Sequence, residues 1–228
     1  MNLFGLRAAW LSVVGVLCVF SSAVQSTTLV QEFFVPLPED QVRKSLTSLY
    51  AGTGTNINSV LSLVVTNDST VIHYDHWEDG YEVDLENPTQ ATTEIWGDGI
   101  DANGKPPNLP SDPDGGFTRG QVIYLDNQVS LPRDPGVVLY DGRDRFGASI
   151  AVVGARASWA TSPGTVLAGA AEILSLRDYG LTYDMPVGED LSTIDNGMFE
   201  YVGLLLVAAE DATQCSLGGA SLPTFNRG

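Results

Sequence analysis

Short runs in which apolar and polar residues alternate recur along most of the chain, and this period-two pattern is typical of β-strands with one buried face. Gly, Pro, Asn and Asp residues, which interrupt regular structure, separate the runs. The runs that we expect to form strands are residues 29–37, 60–66, 70–77, 81–85, 91–96, 121–127, 137–140, 150–160, 165–173, 182–187 and 200–209. Many short strands with turn residues between them predict an all-β fold, either an antiparallel sandwich or a jelly-roll-like domain.

The clearest pair of strands is 60–66 and 70–77, which flank the short polar turn Asn67-Asp68-Ser69. Two β-rich runs around such a turn predict a β-hairpin. We also expect residues 81–85 to pair with residues 91–96, because both runs alternate and only a few residues separate them.

The remaining pattern predicts one helix, one long loop and the positions of two strands in their sheets. Residues 29–37 end in prolines, which favour an edge strand because proline cannot donate to a neighbour. Residues 200–209 are apolar on both faces, which predicts a central, buried strand. Residues 97–116 are too rich in Gly, Asp, Asn and Pro for a regular element, so we expect a long acidic loop. Residues 39–50 predict a short helix whose apolar face comprises Val42, Leu46 and Leu49.

Residues 1–26 have the pattern of a secretory signal peptide. Arg7 supplies the positive charge, residues 8–20 form the apolar core, and small residues follow, with cleavage sites near Ala23 and after Ser26. The apolar core is shorter than the roughly 20 residues that a membrane span needs. We therefore expect a secreted or cell-surface protein whose mature part, residues 27–228, has no membrane span.

The strongly negative net charge argues against nucleic acids as binding partners. The chain has 11 Lys and Arg against 28 Asp and Glu, a formal charge of −17, and loss of Arg7 with the signal changes this to −18. So few basic residues exclude the groove with which proteins follow a nucleic-acid backbone. The apolar content of 43% is high enough for a buried core, which argues against disorder. We expect an extracellular protein or a glycan as partner, and the sequence leaves the oligomeric state open.

The cysteine count and the last residues bear on completeness. Cys18 lies in the signal, which leaves Cys215 as the single cysteine of the mature part. Secreted proteins normally pair their cysteines. Because the chain also ends soon after a strand-like run, we expect residues 27–228 to be a β-sandwich-like module truncated at its C-terminus.

Acidic and aromatic residues concentrate between Lys44 and Lys105, an interval with ten Asp or Glu and no other Lys or Arg. The residues there that we expect to contact a ligand are Trp77, Glu78, Asp79, Tyr81 and Trp96. Their aromatic rings could form a sugar-binding face, or two nearby carboxylates could act as the acid and base of a glycosidase. We favour binding, because any acidic β surface offers such carboxylate pairs, and we assign no catalytic residue.

Oxygen ligands on the 97–116 loop suggest a calcium site. They are Asp98, Asp101, Asn103, Asp112 and Asp114. Calcium binds six to eight oxygens and tolerates irregular geometry. The motif is not an EF-hand loop, since Ile100 occupies the second ligand position. The alternative is a solvated acidic loop rich in Asx turns.

A transition-metal site is less favoured. On a regular strand His73 and Asp75 face one way while His76 and Glu78 face the other, whereas a closed zinc site needs four ligands. We therefore interpret both histidines as half-buried strand residues. Residues 141–145, Asp-Gly-Arg-Asp-Arg, are predicted to form a turn with internal ion pairs.

Several stretches together resemble known extracellular proteins. They are Tyr-Asp-Gly-Arg-Asp-Arg at 140–145, Ala-Arg-Ala-Ser-Trp at 155–159, residues 163–170, 179–188 and 202–213, and the acidic–aromatic stretches 74–82 and 93–99. This set resembles the N-terminal region of large secreted or surface-anchored modular proteins, mostly bacterial, of unassigned function. The second half is also similar to the N-terminal domain of IgGFc-binding proteins. The resemblance implies an extracellular module of an adhesive or matrix-like protein, without catalytic residues to assign and without implying IgG binding.

The sequence thus predicts a secreted, non-enzymatic β-sandwich module of a cell-surface, matrix or adhesion protein, stabilised by calcium. The alternative is a carbohydrate-binding module or carbohydrate-active enzyme that uses the Trp77/Trp96 region. Asn67 starts an Asn-Asp-Ser sequon on a predicted turn, which predicts N-glycosylation in a host that carries out this modification.

Overall fold

The computed structural model describes residues 27–49, 52, 54–162, 168–184 and 203–228, so the predicted signal peptide lies outside the described residues. The regular elements are β1 (Gln31–Phe34), α1 (Glu39–Leu49), β2 (Asn56–Val65), β3 (Ile72–Asp75), β4 (Glu94–Trp96), β5 (Val122–Ser130), β6 (Arg145–Ala148), β7 (Val152–Ala160), β8 (Ala168–Ile173), β9 (Ser216–Leu217) and β10 (Ala220–Ser221). Two four-stranded antiparallel sheets have the orders β1-β6-β3-β4 and β5-β2-β7-β8, and β9 pairs with β10. The predicted all-β sandwich is confirmed, and neither sheet closes into a barrel.

The two sheets share one hydrophobic core because each strand turns alternate residues inward. Along β2, Leu61, Leu63 and Val65 are buried while the residues between them face outward. The first sheet contributes mainly aromatic side chains, and those in the core are Phe33, Tyr74, Trp96 and Phe146. Burying such a side chain contributes roughly 1.5–3 kcal/mol, so this core is the main source of stability.

The predicted helix is confirmed as α1, an 11-residue element. Val42 and Leu46 are buried against Ile57 and Ala160, so the apolar face of the helix covers one end of the second sheet. The side chain of Leu49, the third residue of the predicted apolar face, is outside the described residues. Of the helices that the structure describes, none has the length and apolar character to cross a bilayer.

The predicted hairpin is wrong, because β2 and β3 belong to different sheets. β2 pairs with β5 and β7, whereas β3 pairs with β4 and β6. Residues 66–71 carry the chain from one sheet to the other, and Thr70 there forms an isolated bridge with Phe117. The alternation of apolar and polar residues shows which face of a strand is buried but not which strand lies beside it. A hairpin of β2 and β3 and their placement in two different sheets therefore fit the same sequence pattern.

Other predicted strands also differ from the structure. Residues 81–85 and 137–140 lie in loops, and the described parts of two later runs, 182–184 and 203–209, have no regular structure. The predicted buried strand at 200–209 is wrong over 203–209, where Leu205 and Leu206 are about two-fifths exposed (39% and 43%). β4 therefore pairs with β3 and not with residues 81–85.

Residues 81–90 form a loop that covers the outer face of the first sheet. Leu85 is buried, and its carbonyl oxygen lies 2.6 Å from Nδ1 of His73 in β3. The backbone N–H of Glu82 donates to Asp75, and its carbonyl accepts from Arg145. Because side chains satisfy these backbone groups, the segment is buried without joining a sheet.

Candidate functional site

Six charged side chains from four separate segments meet beside the end of β3, and we call them the ionic cluster: His76, Glu78, Glu94, Arg133, Asp141 and Asp144. His76 follows β3 directly, and Glu78 lies in the short 3₁₀ helix Trp77–Asp79 that comes next. Glu94 begins β4, and Asp144 precedes β6, which pairs with β3 on its other side. The order of strands in the first sheet thus brings these residues together from distant parts of the chain.

His76 lies between two carboxylates. Its Nδ1 is 3.5 Å from Asp144 Oδ2, and its Nε2 is 3.5 Å from Glu94 Oε1, with only 1% of the side chain exposed. Burial alone would lower the pKa of the imidazole, but the Asp144 and Glu94 carboxylates outweigh it and raise the pKa to about 10. His76 is therefore a buried imidazolium at neutral pH, stabilised by one carboxylate on each side.

Asp144 connects His76 to the aromatic core. It is fully buried, and its Oδ2 accepts hydrogen bonds from Tyr74 Oη at 2.7 Å and from the backbone N–H of Asp141 at 3.0 Å. Tyr74 stacks on Trp96 with 4.9 Å between ring centroids. The ionic cluster and the core of the sandwich are thus one continuous structure.

Arg133 joins the other two carboxylates of the cluster. Its guanidinium pairs with Glu78 Oε1 and, at 2.6 Å, with Asp141 Oδ2. The backbone N–H of Leu139 also donates to Glu78 Oε1 at 3.0 Å. Burial and the neighbouring Asp144 raise the pKa of Asp141 to about 7, even though Arg133 acts in the opposite direction. Glu78 and Asp141 are therefore tied to protein partners.

Trp77 and Trp96 do not form a common surface. Trp77 is half-buried, its Nε1–H donates to Asp141 at 2.9 Å, and two guanidinium carbons lie 5.4 and 5.3 Å from its ring centroid. Trp96 is fully buried and donates its Nε1–H to Glu94 at 2.7 Å. A buried ring has no face on which a sugar can stack, so the structure leaves Trp96 out of any exposed platform.

The other predicted ligand-binding residues also have partners within the protein. Asp79 is exposed and accepts a hydrogen bond from Thr92, and the hydroxyl of Tyr81 donates to the carbonyl of Arg143 at 2.7 Å. Together with Glu78, these residues fasten loops to the first sheet.

The acidic loop at 97–116 is confirmed except for one short 3₁₀ helix, Asp101–Asn103. Its carboxylates accept N–H donors of the loop itself. Asp112 accepts from the backbone of Gly97 and Gly99, and Asp98 accepts from the backbone of Ile100 and the amide of Asn103. Asp101 accepts from the backbone N–H of Asp112 at 2.7 Å and lies 3.5 Å from Lys105. Asp114 is exposed.

Among the described residues, the candidate metal ligands of His, Cys, Asp or Glu type that approach one another within 4.8 Å form one group of three, His76, Glu78 and Asp144. The group belongs to the ionic cluster. A guanidinium and a tyrosine hydroxyl already bind its two carboxylates. We therefore interpret it as part of an ion-pair network.

A cavity of approximately 620 Å³ opens beside the ionic cluster. Loop residues 88–91 and 101–105 form most of its wall, with Thr93, Glu94, Ile95 and Tyr140. Its volume lies within the range of roughly 300–1,000 Å³ that is usual for small-molecule sites. Glu94 belongs to both the cluster and the cavity, and Tyr140 Oη donates to it at 2.9 Å.

Hydrogen-bond acceptors line the cavity, together with Lys105, whose ammonium lies 3.5 Å from Asp101 and donates to the carbonyl of Pro110. The side-chain oxygens of Gln90 and Asn103 are buried and have no partner among the residues that the structure describes. The amide nitrogen of Asn103 donates to Asp98, which fixes the orientation of that amide. The carboxylates of the cavity are Glu94 and Asp101.

Both carboxylates of the cavity are ionised at neutral pH. Burial acts to raise the pKa of Glu94, but the His76 imidazolium 3.5 Å away and the hydrogen bonds from Trp96 and Tyr140 outweigh it, and the pKa is lowered. The backbone hydrogen bond from Asp112 lowers the pKa of Asp101. Two carboxylates against the single ammonium of Lys105 leave the lining with a net negative charge, and two amide oxygens there have no donor among the described residues.

Gly104 allows the loop to approach Glu94. Its φ of +123° is one that L side chains rarely adopt, and a Cβ there would lie 2.5 Å from Glu94 Cβ. The opposite wall is held by Glu82, whose carboxylate accepts the backbone N–H groups of Thr89 and Gln90.

The internal ion pairs predicted for residues 141–145 are wrong. Asp141 pairs with Arg133 and Asp144 with His76, while Arg143 pairs with Asp40 and Arg145 with Glu32. Arg133 lies eight residues before Asp141, and the other partners are more than 60 residues away, so spacing within residues 141–145 could not show them. Sequence reasoning also missed Gln90 and Tyr140, which are single polar residues in unremarkable loops.

No protein-family model, no curated protein and no solved structure matches this chain.

Proposed function

We propose that the chain is a non-enzymatic extracellular β-sandwich module of a cell-surface, matrix or adhesion protein, and that it binds a polar ligand in the cavity beside Glu94. The supporting observation is the set of acceptors there, which comprises the amide oxygens of Gln90 and Asn103 and the carboxylates of Glu94 and Asp101. A buried acceptor without a donor is unfavourable, so a ligand that supplies hydroxyl or ammonium donors is favoured.

The protonation of the cavity supports binding over catalysis. A glycosidase needs one carboxylic acid that holds its proton near neutral pH, which requires a raised pKa. The pKa values of Glu94 and Asp101 are both lowered, and Glu94 accepts hydrogen bonds from Trp96 and Tyr140. Neither residue is suited to protonate a leaving group.

An extracellular glycan is the ligand that best fits this chemistry. Its hydroxyl groups are donors for the acceptors of the cavity, and a cavity of approximately 620 Å³ admits the end of a glycan chain. The carbohydrate-binding alternative thereby moves from the Trp77/Trp96 region to the loops around Glu94, since Trp96 is buried.

The experiment is a glycan-array screen with residues 27–228, followed by calorimetric titration of the glycans that are retained. Glu94→Gln keeps the shape of the side chain but removes its charge, and should weaken binding about tenfold, as expected for the loss of one charge-assisted hydrogen bond. Glu172→Gln is the matched control, because Glu172 is exposed on β8 and lines neither cavity. Hydrolysis of a retained glycan, or equal loss of affinity in both variants, would contradict the proposal.

A second pair of variants tests the position of the site. Gly104→Ala places a methyl group against Glu94, whereas Gly115→Ala adds one where nothing lies within 4 Å, and both glycines have a positive φ. Because both variants carry backbone strain, only a loss of glycan binding specific to Gly104→Ala reports on the cavity. Binding that survives in Gly104→Ala as in Gly115→Ala would place the ligand elsewhere.

The extracellular location has its own test. In its own host the protein should appear outside the cell with an N-terminus near Val24 or Thr27, and an N-glycosidase should reduce its mass if Asn67 carries a glycan. The side chain of Asn67 is exposed, as modification requires. An intact Met1 recovered from the cytosol would be inconsistent with secretion.

A further inference from the structure

A second cavity, of approximately 330 Å³, lies at the opposite edge of the first sheet, beside β1. Three arginines line it, Arg145, Arg177 and Arg227, together with the carboxylates of Glu32 and Glu210. The whole chain has 11 Lys and Arg against 28 Asp and Glu, so three arginines in one cavity are unusual for this molecule. Glu32, Glu210 and Asp211, which pairs with Arg227, balance their charge, so it is the free hydrogen-bonding groups of the arginines that favour an anion.

Arg145 has a buried donor without an acceptor. Only 8% of the residue is exposed, and its guanidinium binds the carbonyl of Glu82 and the carboxylate of Glu32. Its Nε–H has no hydrogen-bond partner in the described part of the chain. Since an unpaired buried donor is unfavourable, an acceptor atom from a ligand would stabilise this position.

The other two arginines have capacity for a ligand as well. Arg177 is exposed, and its guanidinium makes no ion pair or hydrogen bond with the residues that the structure describes. Arg227 lies over the ring of Tyr81, with its Cζ 5.3 Å from the ring centroid, and its ion pair with Asp211 is long at 3.9 Å. The ring orients the guanidinium without occupying its N–H groups.

We propose that this cavity binds a single anionic group, a carboxylate or a sulfate, carried by a small ligand such as an acidic monosaccharide. Guanidinium groups form paired hydrogen bonds with planar carboxylates and with sulfate-like oxyanions. The volume lies near the lower end of the range for small-molecule sites, so it suits one sugar ring. This site shares no residue with the cavity beside Glu94, and the two proposals stand or fall separately.

The test is a titration of residues 27–228 with glucuronate, inorganic sulfate and neutral glucose, followed by two-dimensional NMR. Glucuronate should bind with a dissociation constant of about a millimolar or below, sulfate should displace it, and glucose should leave the resonances of the Arg177 region unchanged. Displacement by sulfate identifies the charge as the determinant, whereas a response to glucuronate that sulfate leaves intact would assign recognition to the sugar ring and overturn the proposal.

Variants locate the site. Arg177→Gln and Arg227→Gln should each weaken glucuronate binding about tenfold, as expected for the loss of charge-assisted hydrogen bonds. Arg119→Gln removes an exposed arginine that lines neither cavity and should have no effect. Glu94→Gln should also have no effect, which separates this site from the first cavity. The proposal is wrong if wild-type protein binds neither anion at millimolar concentration, or if Arg119→Gln weakens binding as much as Arg177→Gln while thermal unfolding shows all variants folded.

Discussion

At neutral pH His76 is protonated in the folded protein but mostly neutral in the unfolded chain. Its pKa is about 10 in the folded protein, because the Asp144 and Glu94 carboxylates outweigh burial, against about 6.5 in an unfolded chain. Glu78 and the phenols of Tyr74 and Tyr140 also lie close to the imidazole. The stability that His76 contributes is therefore full below about pH 6.5 and is lost as the pH rises towards about 10.

We expect wild-type protein to lose stability to urea between about pH 7 and about pH 9.5, at up to about 1.4 kcal/mol per pH unit. His76→Gln should be less stable at neutral pH and should lose most of this dependence. His73→Gln is the matched control, because burial lowers the pKa of His73 and the residue is neutral above pH 7. The assignment fails if His76→Gln keeps the slope of the wild type.

The prediction that both histidines are half-buried strand residues was partly right. His73 lies in β3, but His76 follows the strand, and both are almost fully buried. The acidic–aromatic stretch supplies three members of the ionic cluster, His76, Glu78 and Glu94. The cations and acids that complete the cluster, Arg133, Asp141 and Asp144, come from segments more than 50 residues away, so no local pattern could place them beside His76.

α1 shows at the scale of elements how burial decides the value of an ion pair. Two consecutive residues at its start pair with arginines: Glu39 with Arg156 of β7, and Asp40 with Arg143. The first pair is buried, with side chains 4% and 0% exposed, and the second is 41% and 29% exposed. Removing one partner of a buried pair leaves an uncompensated charge, whereas an exposed pair contributes little.

We expect Arg156→Met to lower the free energy of unfolding by roughly 3–5 kcal/mol, and Arg143→Met by at most about 1 kcal/mol, measured by urea denaturation. The double variant Glu39→Gln/Arg156→Met should recover part of the loss, because no buried charge is left unpaired. Equal destabilisation by Arg156→Met and Arg143→Met would show that burial does not set the strength of these contacts.

The elements that the sequence predicted well are those whose own side chains specify them. β5, β7 and α1 have a clear alternating or amphipathic pattern, and the structure has them within a few residues of the predicted bounds. Residues 81–85 resemble a strand in sequence, and Leu85 is buried as a strand residue would be. In the structure, however, the backbone groups of Glu82 and Leu85 bind the side chains of Asp75 and His73, and no neighbouring strand pairs with them. The sequence shows that a residue is buried but not whether a strand or a side chain lies beside its backbone.

At the scale of the whole molecule, a charge of −17 makes divalent cations favourable partners. The predicted calcium site stays a prediction, and we expect the melting temperature to rise in millimolar calcium and to fall with a chelator. Calcium at a hundred times its dissociation constant would add about 2.7 kcal/mol. Sodium at equal ionic strength should do less, because screening fills no site.

The variant Asp98→Ala/Asp101→Ala should lose the calcium response. Because both carboxylates also accept hydrogen bonds within the loop, the variant should be less stable even in chelator. The informative quantity is therefore the difference between melting temperatures with and without calcium. Identical wild-type curves in calcium and chelator would leave an acidic loop that its own N–H groups stabilise, with no bound ion.

Fold class could be predicted from the sequence, whereas neither cavity could. Strands with alternating apolar residues, separated by turn residues, predict a sandwich whatever the order of the strands in the sheets. The cavity beside Glu94 exists because loops 88–91 and 101–105 meet Tyr140, and the arginine-lined cavity because β1 meets residues 176–177 and 209–210. Contacts between these distant segments depend on the order of strands in the sheets, and the alternation of apolar and polar residues does not determine that order.

The passage of the chain from one sheet to the other directly after β2 has a consequence during synthesis. Ile57 pairs with Val129 on one side and with Ala160 on the other, so both neighbours of this strand leave the ribosome long after it does. Until then its two unpaired edges are open to other chains. Contacts so distant in sequence also slow folding, because a long loop must close before any pairing is gained. A nascent chain of this protein is therefore open to aggregation through β2 until β7 has emerged.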